Sequence, residues 1–130
     1  MTDRPERLRQ HPDQRFESAV HQLDLSTSAG ALLAEPLPPN RKHRQETLYR
    51  RGPVTVALFI FERGASLPQH LAEGVVTVQV LSGRIKMNTE ERTHELSAGQ
   101  MLVMAPGVKH DVQAEETTRM LLTVCLEPKS

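Results

Sequence analysis

Six histidines and one cysteine carry most of the reactive chemistry this 130-residue chain offers. Neutral imidazole serves as a metal ligand, hydrogen-bond donor, acceptor or proton shuttle near neutral pH. His70 has a carboxylate, Glu73, three residues on, in a stretch that reads as a connecting loop, and His110 follows the turn signal Pro106-Gly107. His94 falls in Arg92–Leu96, an exposed hairpin strand where a solvated side chain is the expectation, and His11 and His21 sit in or near an N-terminal tail. His43 belongs to a basic run in which Arg41, Lys42, Arg44, Arg50 and Arg51 stand against Glu46 alone. Such a run binds an anion or a phosphate, or else guards a solvated edge strand with charge, which is the commoner use. Cys125 lies in an apolar run with no flanking cation to lower its pKa, so it reads as a buried structural thiol. No G-x-S-x-G elbow, phosphate-binding Walker loop, paired C-x-x-C or H-E-x-x-H is present.

The elements that must position these residues are strands. Val54–Phe61 (VTVALFIF), Val75–Leu81 (VVTVQVL), Met101–Met104 and Met120–Leu126 (MLLTVCL) are short apolar runs rich in β-branched residues and bounded by turn formers. Ser82-Gly83 predicts a tight hairpin into Arg84–Asn88, and Thr89–Glu91 a second turn into Arg92–Leu96. Side chains alternate across a strand, so Val76, Val78 and Val80 share one face and Val75, Thr77, Gln79 and Leu81 the other. In Val54–Phe61 the reading assigns Val54, Val56, Leu58 and Ile60 to one face and Thr55, Ala57, Phe59 and Phe61 to the other. Strands apolar on both faces need cover on both, so a helix, a second sheet or a second subunit is expected outside the barrel. Asp24 or Ser26 is placed to cap a short helix through Ser28, Ala31, Leu32, Leu33 and Ala34, and Pro36 forbids its continuation. Met1–Arg15 is too polar to bury and reads as a mobile tail with no secretory pattern.

Composition bounds the function class. Lys plus Arg and Asp plus Glu number 16 each, for a formal net charge of zero, which removes the whole-chain electrostatic case for nucleic acid or an anionic membrane. No apolar run approaches the roughly 20 residues of a membrane span. A single Cys forbids an intrachain disulfide and fits a reducing, cytoplasmic setting. With no Trp, one Tyr and three Phe, the core must be filled by Val, Leu, Ile and Met.

Two stretches together resemble the paired motifs of the cupin superfamily, G-x5-H-x-H-x(3,4)-E-x6-G and G-x5-P-x-G-x2-H-x3-N. Gly64, His70 and Gly83 fall on the first, and Gly99, Gly107 and His110 on the second; the resemblance covers about Thr47 to Leu126. It implies an all-β fold: one jelly-roll-like cupin barrel of about eight to ten strands, spanning residues 46–127 behind a 1–45 segment of tail, short helix and connector. It also implies a small-molecule pocket within the barrel, into which His70 and His110 project and which Val76, Val78, Val80 and Leu58 line. Metal-binding members use three His and a Glu or Gln. Here Ala72 takes the place of the second His and Val76 that of the carboxylate, Ala105 stands where Pro is common, and Ala114 holds the final Asn position. A zinc centre usually keeps three protein ligands and a non-haem iron centre two His and a carboxylate, so His70 and His110 need a third donor, for which Glu73 is the local candidate. The expectation is therefore a small-molecule-binding cupin with an incomplete metal site, forming a homodimer and taking neither nucleic acid nor membrane as partner. The alternative is a metal-dependent enzyme of dioxygenase or isomerase type, with Fe, Mn, Ni or Zn on His70, His110 and Glu73.

Overall fold

A computed structural model of the chain describes residues 15–128. Most of the expected tail therefore lies outside the described residues. Its last member, Arg15, is not free: the guanidinium lies 4.4 Å over the Phe16 ring and 3.9 Å from Glu46.

Among the described residues a helix, α1 (Leu25–Leu33), precedes nine strands: β1 (His43–Arg51), β2 (Val54–Phe61), β3 (Ser66–His70), β4 (Gly74–Ser82), β5 (Arg84–Thr89), β6 (Thr93–Ser97), β7 (Met101–Met104), β8 (His110–Ala114) and β9 (Thr118–Leu126). Asp24 caps α1, its carboxylate accepting the Thr27 N–H at 3.0 Å. The helix ends at Ala34, one residue short of the Glu35 that Pro36 bars from helical geometry.

The strands form a five-stranded sheet, ordered β1-β2-β9-β4-β7, and a four-stranded sheet, ordered β3-β8-β5-β6. All pairings are antiparallel. The two sheets face each other as in a cupin barrel, but hydrogen bonding does not close them into a cylinder. β3 and β8 carry no strand signal in the sequence, since Pro68 and the polar His110–Ala114 give no apolar run; their mutual pairing makes them strands.

The main core lies between the sheets. Ala57, Phe59 and Phe61 of β2, Val76, Val78 and Val80 of β4 and Met120 of β9 meet Ile85, Met87, Leu96, Val112 and Ala114 of the opposite sheet. A second, smaller core lies outside the five-stranded sheet, where Ala29 and Leu32 of α1 cover Leu48, Leu58 and Ile60. This corrects the place of Leu58. Register sets Leu58 opposite Leu121, and Leu121 opposite Gln79, on the helix-facing side; Phe59, Met120 and Val80 form the inward row beside it. The bulge between Thr47 and Tyr49 turns Leu48 to the same outer layer.

The helix covers only part of the outer face. Towards the β7 edge Met101 and Val103 are 51% and 61% exposed, so Met101, unlike Met87, Met104 and Met120, is not a packing residue. Cys125 is likewise exposed, not buried. Alternation along β9 sends Val124 inward and Cys125 outward, opposite Val54 and Val75.

Candidate functional site

The histidines forty residues apart in sequence meet because β3 and β8 pair, with His70 directly opposite His110. Their ring centroids are 4.2 Å apart and the planes are inclined at 64°. His110 is buried at 3% exposure, whereas His70 is exposed, so the pair straddles the boundary between the interior and solvent. Both rings are held the same way. His70 Nδ1 donates to the Pro68 carbonyl at 2.8 Å, and His110 Nδ1 donates to the Val108 carbonyl at 3.0 Å. With Nδ1 protonated, the lone pair of each neutral ring is on Nε2, the second-shell arrangement that fixes a histidine's tautomer. Burial holds the His110 pKa below its ordinary value, and the neighbouring His70 adds to the depression; the Val108 carbonyl and Asp111 partly oppose it.

Turns bring the surrounding loops to the pair. Gly107, at φ 82°, turns the β7–β8 connection, and its N–H donates to the Ala72 carbonyl at 2.9 Å. That bond ties the loop before His110 to the loop after His70. Behind His110, Val112 lies on the same inward face and is paired with Met87.

The donor set does not fit a resident metal. Among the described residues no three His, Cys, Asp or Glu side chains come together. Glu73 does not join His70 and His110. It lies exposed in the loop, its carbonyl accepts the Glu127 N–H at 3.0 Å, and the next residue, Gly74, is pressed so closely on Cys125 and Leu126 that a Cβ would overlap them. Val76 points into the core without a lone pair, and Ala72 supplies none.

The expected pocket walls also divide. Val76, Val78 and Val80 do face inward, but Val78 and Val80 are packed at 1% and 0% exposure. A cleft of about 610 Å³ lies elsewhere, between the edge strands β1 and β3, lined by Asn40–His43, Gln45 and Gly64–Pro68. His43, which the sequence placed in a charged run, is buried against Phe59 and Phe61 at centroid distances of 6.0 and 5.7 Å, and its Nε2 bonds Gln45 Oε1 at 3.0 Å. The signal for it was present as period two: His43, Gln45 and Thr47 share the inward row of β1 opposite Phe61, Phe59 and Ala57. The surrounding charges obscured it.

A family model described as cupin domain matches residues 57–126. Among solved structures, a conserved protein of unknown function from Streptococcus pyogenes is similar over 86% of this chain and 92% of its own, with 25% identity and TM-score 0.67. A cupin superfamily protein from Desulfitobacterium hafniense matches over 71% of this chain and 84% of its own, with 17% identity and TM-score 0.65. An RmlC-like cupin from Shewanella frigidimarina matches over 71% and 83% respectively, with 16% identity and TM-score 0.64. No curated protein matches the sequence.

Proposed function

The chain belongs to the cupin family, and on that premise we propose that it is a small-molecule-binding cupin whose ligand is held by His70 and His110 rather than by a resident metal. The observation that carries this reading is the pair itself: two facing imidazoles with both Nδ1–H groups committed to backbone carbonyls. Two Nε2 lone pairs side by side accept hydrogen bonds, and the depressed pKa of His110 keeps its ring neutral and accepting at pH 7. The group that fits is an O–H or N–H donor on a small organic body.

The test is a thermal-shift screen of hydroxyl- and amine-bearing small molecules against the wild type, His70→Ala and His110→Ala. Stabilisation of the wild type that disappears in both variants is the expected result; stabilisation that survives both overturns the reading. Elemental analysis of untagged protein, purified without chelator, addresses the rival metal-dependent enzyme. Stoichiometric Fe, Mn, Ni or Zn lost in both variants would establish that rival and sink the metal-free assignment.

We propose further that the protein is a homodimer joined through the outer face near the β7 edge. Met101 and Val103 are exposed there beside Val75 on an unpaired edge strand, a combination that invites another chain. Light scattering that finds only monomer at micromolar concentration would remove this proposal. A cytoplasmic setting is proposed on the single, unpaired Cys125. Among the described residues no helix is long and apolar enough to cross a membrane.

A further inference from the structure

The basic run Arg41–Arg51 divides in the fold. Arg44 is occupied: its Nε donates to the Glu35 carbonyl at 2.9 Å and its Nη1 lies 3.5 Å from Glu62. Arg50 and Arg51 are carried to the far end of β1, at the hairpin opposite Thr55 and Val54. Arg41 and Lys42 remain at the near end, where both are exposed, both line the 610 Å³ cleft, and neither has a carboxylate partner among the described residues.

The cleft has a defined chemistry. No Asp or Glu lines it, and Arg41 and Lys42 give its lining a positive sign. The Lys42 ammonium lies 4.0 Å from where a Cβ on Gly64 would stand. Ala65, Ser66, Leu67 and Pro68 line the cleft as well. His43, stacked on Phe59 and tilted against Phe61, belongs to the lining too. The volume lies within the range of small-molecule sites, roughly 300–1,000 Å³.

We propose that this cleft is a second binding site, separate from the His70–His110 pair, that takes a small organic acid. Its carboxylate is held by the Arg41 guanidinium, a planar fork suited to two-oxygen contact, and by the Lys42 ammonium. Its organic body lies against Leu67 and Pro68. The edge strands β1 and β3 frame the space, because hydrogen bonds do not join the two sheets there.

Isothermal titration calorimetry with benzoate, citrate and inorganic phosphate at low ionic strength tests the site, using the full chain, the Arg41→Ala/Lys42→Ala double variant and His70→Ala. The expected result is saturable binding of at least one carboxylate, weakened about tenfold or more in the double variant and unchanged in His70→Ala. Binding should also weaken towards about 1 M salt, where screening shortens the reach of charge to about 3 Å. Both replaced side chains are exposed, so the double variant keeps its fold, which circular dichroism verifies. Binding that survives the double substitution, or that is lost in His70→Ala, overturns the proposal. So does phosphate binding as tightly as the carboxylates, since the apolar wall would then contribute nothing, and so does the absence of saturable binding by any of the three.

Discussion

Replacing Val76 by Glu should convert the histidine pair into a metal site and, without metal, weaken the fold. Val76 is the first inward residue of β4, 3% exposed in the main core, and stands at the position where the cupin motif carries its carboxylate. Removing a fully buried Val forfeits about 1.5–2 kcal/mol of apolar burial. Placing a carboxyl group there costs a further 1–3 kcal/mol, roughly, because it enters protonated and poorly hydrogen-bonded. The sum, about 2.5–5 kcal/mol, is a large share of the 5–15 kcal/mol or so that holds a domain together. For a chain of this length it corresponds to a fall in Tm of roughly 10–20 °C. Zinc or nickel offsets much of this cost, since the ionised carboxylate would be paired with the cation beside two Nε2 donors. Metal at a hundredfold its Kd returns about 2.7 kcal/mol. Differential scanning calorimetry of wild type, Val76→Glu, Val76→Gln and Val76→Glu/His110→Ala, each with and without zinc, reads all of this. Only Val76→Glu should gain stability from zinc. If Val76→Glu responds no more than the wild type, or if the response persists without His110, then Val76 and the two imidazoles do not converge and the reading of the site is wrong.

Other consequences are simpler to check. Leu58→Ala should cost about 3–5 kcal/mol by chemical denaturation, because Leu58 is fully buried under α1, yet leave ligand binding at His70 and His110 unchanged; altered affinity would return Leu58 to the pocket. The folded protein binds a proton at His110 less readily than the unfolded chain. Stability should therefore be complete above the ordinary histidine value of about 6.5, decline as pH drops below it, and level off once pH passes the depressed folded value. His110→Asn should flatten that slope in urea melts across this range, and an undiminished slope would assign it to another group. Gly83→Ala should destabilise strongly, because Gly83 sits at φ 90° and a Cβ would strike the Thr117 carbonyl oxygen and the Thr118 hydroxyl. A variant with wild-type Tm would contradict the packing of the β4–β5 turn against the start of β9.

Alternation along the chain was enough to recognise the strands that became β2, β4 and β7, because a run of β-branched residues between turn formers has few other uses. The motif spacing identified the fold family, and Asp24 and Pro36 bounded the helix, because capping and proline sterics act within a few residues. Alternation also separates the two faces of a strand, but it cannot say which face is inside when both are apolar. Leu58 shows this: only the docking of α1 on the five-stranded sheet, and the register with β9, made its side the outer one. Cys125 and Met101 came out exposed for the same reason, since the helix is too short to reach them. The meeting of His70 with His110 follows from long-range pairing between two segments with little apolar signal of their own, and the burial of His43 among cations follows from the register of β1 on β2. Local sterics and periodicity are written residue by residue. Which surfaces face one another, and so whether two imidazoles or two cations share a site, is set by how the sheets pack.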